Sequence, residues 1–197
     1  PYFKENPEYL LMQQTEKDEI ERYNVIAMVR GTKGESNKTV LLMGHFDTVG
    51  VDDFGPISDY AFDPTKLPEL LKGLKLSADV NKDIDSGEYM FGRGSLDMKS
   101  GVAGHMYLVK YFSEHPEELD GNIIVMAQCD EEDNSHGVIS CLKVLKEWKD
   151  KYNLRYQAAI NADYSTPYHE EDENRYVYFG TIGKVLPSFY VVGKEAH

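Results

Sequence analysis

The chain has 197 residues, of which 41% are hydrophobic and 12% aromatic, enough for a packed core, so wholesale disorder is excluded. Its 34 acidic residues outnumber 21 basic ones, giving a formal net charge of −13. Nucleic acid and anionic membrane are therefore poor partners, since both call for a basic face. Binding of divalent cations is a use of carboxylates that this balance leaves open.

In chain order, Asn6-Pro7 predicts a short helix running through Tyr9 to Met12, followed by an acidic turn at Glu16 to Glu21. Val25 to Val29 reads as a strand. Thr39 to Met43 is a short continuous apolar run, the mark of a strand buried on both faces, and it leads into Gly44-His45-Phe46-Asp47. Residues 50–90 read as loop, with one short helix over Leu67 to Leu74. Asp97 to Ser113 has apolar residues at helical spacing (Met98, Val102, Met106, Val109). Asn122 to Cys129 is a second buried-type strand and runs into Asp130-Glu131-Glu132. A helix is expected over Ser135 to Tyr152, with Val138, Leu142, Leu145, Trp148 and Tyr152 on its inner side. Tyr156 to Ala162 is a third strand, ending at Asp163. Tyr176 to Phe179 and Val185 to Gly193 read as a closing pair of strands. Strands alternate with helices, which predicts a three-layer α/β domain with a largely parallel sheet.

The two cysteines, Cys129 and Cys141, form no CxxC pair and no disulfide framework, which favours a reducing, cytoplasmic setting and buried, unreactive thiols. No apolar stretch is long enough to span a bilayer, and no basic-then-apolar leader opens the sequence.

Polar, metal-capable residues end all three buried strands: His45 and Asp47, then Glu131 and Glu132, then Asp163. Ligands collect at the carboxyl ends of strands in open α/β sheets. A fourth acid, Asp97, follows the turn Gly92-Arg93-Gly94-Ser95. One imidazole among four carboxylates is unfavourable unless a cation joins them, and nitrogen plus carboxylate donors suit Zn²⁺, Mn²⁺ or Co²⁺. Competing motifs fail. The 92–97 turn has Asp where a dinucleotide fingerprint needs Gly, and neither a phosphate loop nor a GxSxG elbow is present. Asp79, Asn81, Asp83 and Asp85 suggest a calcium loop only loosely, because Gly87 is out of EF-hand register.

The blocks Gly44-His45-Phe46-Asp47-Thr48-Val49, Gly92-Arg93-Gly94-Ser95-Leu96-Asp97-Met98-Lys99-Ser100-Gly101, Asp130-Glu131-Glu132 and Asn161-Ala162-Asp163 resemble, in order, the signatures of the M20 metallopeptidases. The wording from His45 to Pro56 and the acidic loop after it is most similar to a branch associated with arginine utilisation. The resemblance implies a zinc-peptidase-like catalytic domain over 1–183, with 184–197 opening a lid, or dimerisation, domain. It implies a two-metal amide hydrolase acting on an N-acyl amino acid or small peptide. His45 and Asp163 would hold one divalent metal ion and Glu132 the other, with Asp97 between them. The expected metal is zinc, with cobalt or manganese as alternatives. Asp47 would accept the second N–H of His45. The residues alone leave open which of Glu131 and Glu132 is the general base; the resemblance assigns it to Glu131. Gly193-Lys194-Glu195-Ala196-His197 resembles the entry to the lid, where His197 would stabilise the oxyanion in a partner subunit's site.

The family's further His ligand to the second metal has no match. His105, His115, His136 and His169 fall elsewhere, with His136 the one expected near the site. The resemblance therefore implies an incomplete second metal site and little turnover by the 197-residue chain alone. It also implies a homodimer for a chain that carries the lid. A non-catalytic binding module on the same fold is the alternative function.

Overall fold

The computed structural model describes residues 1–16, 19–169, 171–180 and 187–194. They fall into two compact units, Pro1–Tyr164 and Ser165–His197. In the first, a short helix α1 (Tyr2–Glu5) and a 3₁₀ turn (Pro7–Tyr9) lead into β1 (Leu10–Gln14), β2 (Tyr23–Arg30) and β3 (Lys38–His45). After a 3₁₀ segment over Asp52–Tyr60 come α2 (Leu67–Lys72), α3 (Ala78–Ser86) and α4 (Ser100–Glu114). Then follow β4 (Asn122–Gln128), α5 (His136–Tyr152) and β5 (Arg155–Asn161).

The five strands lie in the order β1-β2-β4-β3-β5. β4, β3 and β5 run parallel, while β2 is antiparallel to β4 and β1 to β2. The sheet is thus mixed, and its parallel part carries the strand ends read as a site. Alternation along each strand divides the core. Ile26, Met28, Leu41, Ile124 and Met126 pack with Cys141, Val144, Leu145 and Trp148 of α5. Val29, Leu42, Ile123 and Val125 pack with Val109 of α4. With α5 on one face and α4 on the other, the unit has three layers. The β3-to-β4 and β4-to-β5 connections use opposite faces, which opens a crevice at the strands' carboxyl ends.

Several expectations are corrected. Leu10 to Met12 belong to β1, not to a helix: Leu10 faces Ala27 and Met12 faces Val25 in the ladder with β2. Residues 50–90 contain the helix α3 as well as α2. Ser77 caps α3 through its hydroxyl, which accepts from Val80 N at 3.3 Å. Asp79 to Asp85 therefore form a helix rather than a calcium loop. α4 starts at Ser100, not Asp97, because the backbone at Asp97 (φ −101°, ψ 105°) is extended and that at Met98 (φ −126°, ψ 37°) is not helical. Its buried face is Val102, His105 and Val109, whereas Met106 is 63% exposed. In α5 the inner face is Ser140, Cys141, Val144, Leu145 and Trp148, with Leu142 turned out.

In the second unit no strand occurs among the described residues, so Tyr176 to Phe179 is not a strand and the described part of 185–193 has none. Its polar centre is the Asp172 carboxylate, which accepts from Tyr176 Oη (2.6 Å), Tyr168 N (2.9 Å), and Asn174 N and Nδ2. These bonds hold it well below the ordinary carboxylate range. The expected 183/184 boundary and His197 lie outside the described residues. Among the described residues, no helix is long and apolar enough to cross a membrane.

Burial of His105 inside α4 lowers its pKa, because desolvation penalises the imidazolium. A folded pKa below the unfolded one adds stability above the ordinary value, and that stability is lost as pH falls through the folded pKa. Denaturant titrations between about pH 7 and about pH 5 should show stability falling, and His105→Leu should make that fall shallower. An unchanged slope in the variant would contradict this.

Candidate metal centre

The site is built from the carboxyl end of the parallel strands. His45 is the last residue of β3 and is 2% exposed. Its two ring nitrogens meet different surroundings. Nδ1 lies 3.3 Å from the Asp47 carbonyl oxygen and 3.5 Å from Asp47 Oδ1. Nε2 faces Asp97 Oδ1 at 3.1 Å, Glu131 Oε2 at 3.7 Å and Asp163 Oδ2 at 3.9 Å.

If Nδ1 carries the proton toward Asp47, Nε2 presents a lone pair to three carboxylates. Four acceptors then converge with no donor among them, and Nε2 is buried without a hydrogen-bond partner. Such a group needs either a proton on Nε2 or a cation. The donor set fits the second: ligand atoms of His45, Asp97 and Asp163 lie within 4.8 Å of one another, and one imidazole with two carboxylates is hard-to-borderline chemistry suited to Zn²⁺, Mn²⁺ or Co²⁺. The Glu131 carboxyl stands beside this group, 48% exposed. Partial burial raises its pKa; His45 opposes the shift, and Glu132, Asp163 and Asp47 add to it.

Glu132 is outside the three-residue group among the described residues. Its backbone N–H donates to Asp47 Oδ2 at 3.1 Å, so Asp47 joins the His45 ring to the loop after β4. His136 is likewise outside the group. Its ring Nδ1 lies 3.4 Å from Asp130 Oδ2, and its backbone N–H donates to the same oxygen at 3.0 Å. A second cluster, His115, Glu117 and Glu118, sits on an exposed turn away from the strand ends.

Three supporting residues carry no metal-ligand signature in the sequence. Asp130 is fully buried with φ +67°, and its Oδ1 lies 2.9 Å from Arg22 Nη1. Through its carboxylate it also holds the first residue of α5. Asn24, fully buried on β2, accepts from Cys129 N at 3.1 Å and donates to the Gly137 carbonyl at 3.1 Å. These contacts clamp both ends of the 129–137 loop that presents Glu131 and Glu132. The opposite signs of Arg22 and Asp130 are legible in the sequence, but not their pairing across 107 intervening residues. The thiols beside this loop are quiet: burial raises Cys129, and Cys141 to about 12.

Two glycines allow close approaches. A Cβ on Gly137 would stand 1.9 Å from the Cys129 carbonyl oxygen, and one on Gly101 only 2.2 Å from that of Ala162. The second contact seats the first turn of α4, just after Asp97, against the residue preceding Asp163. Two members of the group are therefore placed by one backbone contact.

Residues 41–173 match the profile of Peptidase family M20/M25/M40. The chain is 45% identical over 197 residues to Protein RocB of Bacillus subtilis (strain 168), covering 100% of this chain and 35% of that protein. It is 31% identical over 130 residues to a succinyl-diaminopimelate desuccinylase of Cupriavidus necator, covering 65% of this chain and 29% of that enzyme. The crystal structure of human carnosine dipeptidase 1 superposes with a TM-score of 0.49 at 17% identity, over 79% of this chain and 29% of that one. The chain thus spans about a third of the length of the curated relatives it matches.

Gly101→Ala should weaken binding of Zn²⁺ by about tenfold or more, since separating α4 from Ala162 moves Asp97 away from Asp163. Titration calorimetry with a circular-dichroism check of folding measures this. Unaltered affinity would contradict the coupling.

Proposed function

The chain belongs to peptidase family M20/M25/M40, and from that footing we propose that it forms the catalytic part of a metal-dependent hydrolase cleaving the amide bond of an N-acyl amino acid or small peptide. The observation that carries this reading is the buried Nε2 of His45 facing Asp97, Glu131 and Asp163. In it His45 and Asp163 would hold one divalent cation and Glu132 the other, with Asp97 shared between them. The cations are zinc, with cobalt or manganese as alternatives. When bound, they supply Lewis acidity, polarising the scissile carbonyl and acidifying a water molecule.

The remaining steps fall to the chain's own groups. Asp47 holds the Nδ1–H of His45, which keeps Nε2 free as a donor of its lone pair. Glu131 is the general base: its carboxylate takes the proton from the attacking water and delivers it to the leaving amine nitrogen. Glu132, adjacent in sequence, turns its backbone to Asp47, so the two glutamates have different tasks. His197 is assigned to the oxyanion of a partner subunit's site.

A lid domain from residue 184 onward, homodimerisation through it, a cytoplasmic setting and a place in arginine catabolism belong to the same proposal. So does low turnover by the 197-residue chain on its own.

Glu131→Gln in the protein that carries this sequence should lower hydrolysis of a responsive N-acyl amino acid by about 10²-fold or more while retaining metal, whereas His45→Ala should lose metal as well. Turnover assays paired with elemental analysis read both. Near-normal activity of the Glu131 variant would remove its assignment as base.

A further inference from the structure

Against the 95–100 turn and the start of α4 lies a cavity of about 680 Å³, within the size range of small-molecule pockets. Phe62, Met90, Leu96 and Ala103 supply its apolar walls, and Arg93 and Lys99 are its cations. Ser95, Leu96, Lys99 and Ser100, which flank Asp97 in sequence, form one side, while Asp97 itself does not line it. Three of the walls are unusually open for such side chains: Phe62 is 59% exposed, Leu96 60% and Met90 72%. Large apolar groups left open in a concavity gain from an apolar occupant.

The two cations specify the occupant further. Lys99 Nζ lies 5.7 Å from the Phe62 ring centroid and has no carboxylate partner among the described residues, in a chain of net charge −13. Arg93 spends one guanidinium nitrogen on Asp53 and stacks over Phe54, yet its Nε–H is buried without an acceptor among the described residues. The Arg93 Nε is closed off from the cavity, so the Lys99 ammonium, without a carboxylate partner on an apolar wall, is the group that calls for an anionic acceptor.

We propose that this cavity binds an apolar carboxylic acid group, its hydrocarbon part against Phe62, Met90 and Leu96 and its carboxylate on the Lys99 ammonium. Where the occupant is part of a substrate, the cavity selects amides that carry a carboxylate beside a medium-sized apolar or aromatic group. Calling the ligand a substrate rests on the hydrolase reading; the binding itself does not.

The test uses the full protein that carries this sequence, stripped of metal with chelator so that carboxylate–metal coordination cannot contribute. Calorimetry compares 4-phenylbutyrate with its neutral counterpart 4-phenylbutanol. The acid should bind about tenfold tighter than the alcohol, as a charge-assisted contact of this kind provides. Lys99→Gln should bring the two within about twofold of each other, and Phe62→Glu, at an exposed position that does not endanger folding, should weaken the acid about tenfold or more. His45→Ala should leave both affinities unchanged even where it abolishes metal binding and hydrolysis, which separates failure of this proposal from failure of the hydrolase reading. Absence of saturable phenylbutyrate binding, or an acid preference that survives Lys99→Gln, would overturn it.

Discussion

A buried imidazole nitrogen surrounded by carboxylate oxygens is the constraint on which the rest of this molecule depends. Nε2 of His45 meets Asp97, Glu131 and Asp163 within 3.9 Å, and nothing hydrophobic compensates for gathering like charges there. Repulsion among these groups would drive the strand ends apart were they mobile. The sheet prevents that: β3 is an interior strand, hydrogen-bonded to β4 on one side and β5 on the other, and its register aligns all three carboxyl ends. A cation bound there would turn the cost of that arrangement into binding affinity.

Much of the surrounding polar structure serves to hold the acidic loops still. Asp130 and Arg22 tie the loop after β4 to the start of β2, while Asn24 joins the end of β4 to the first turn of α5. Asp47 links the imidazole to the Glu132 backbone. Glycine supplies the tight packing, at Gly101 against Ala162 and at Gly137 against Cys129. These contacts lie on both faces of the sheet, so the geometry at His45 is inherited from the layered core and does not depend on one loop's own preferences.

The layered fold and the gathering of His45, Asp97 and Asp163 at the strand ends are legible because they write themselves as short-range patterns. Thr39 to Met43 and Asn122 to Cys129 are apolar runs that only a sheet covered on both faces can bury, and each runs into metal-capable side chains. What escaped is non-local or depends on backbone geometry. Leu10 to Met12 carry helix-compatible residues, yet pairing with β2 overrides local propensity. Met106 and Leu142 fit an idealised apolar stripe, but each helix is rotated so that small or polar neighbours, His105, Ser140 and Cys141, face inward. Spacing alone resolves a helix face to within one residue, and packing decides the remainder. Asp97 reads as helical by its neighbours, although its extended backbone is what aims its carboxylate at His45.

The central claim is that the His45 group is a cation site, and anomalous X-ray diffraction at the zinc absorption edge, from crystals of the protein grown with zinc, addresses it most directly. The account predicts an anomalous peak about 2.0–2.2 Å from His45 Nε2 and from carboxylate oxygens of Asp97 and Asp163. Zinc bound elsewhere, with the His45 ring hydrogen-bonded to Asp97 through a proton on Nε2, would contradict it.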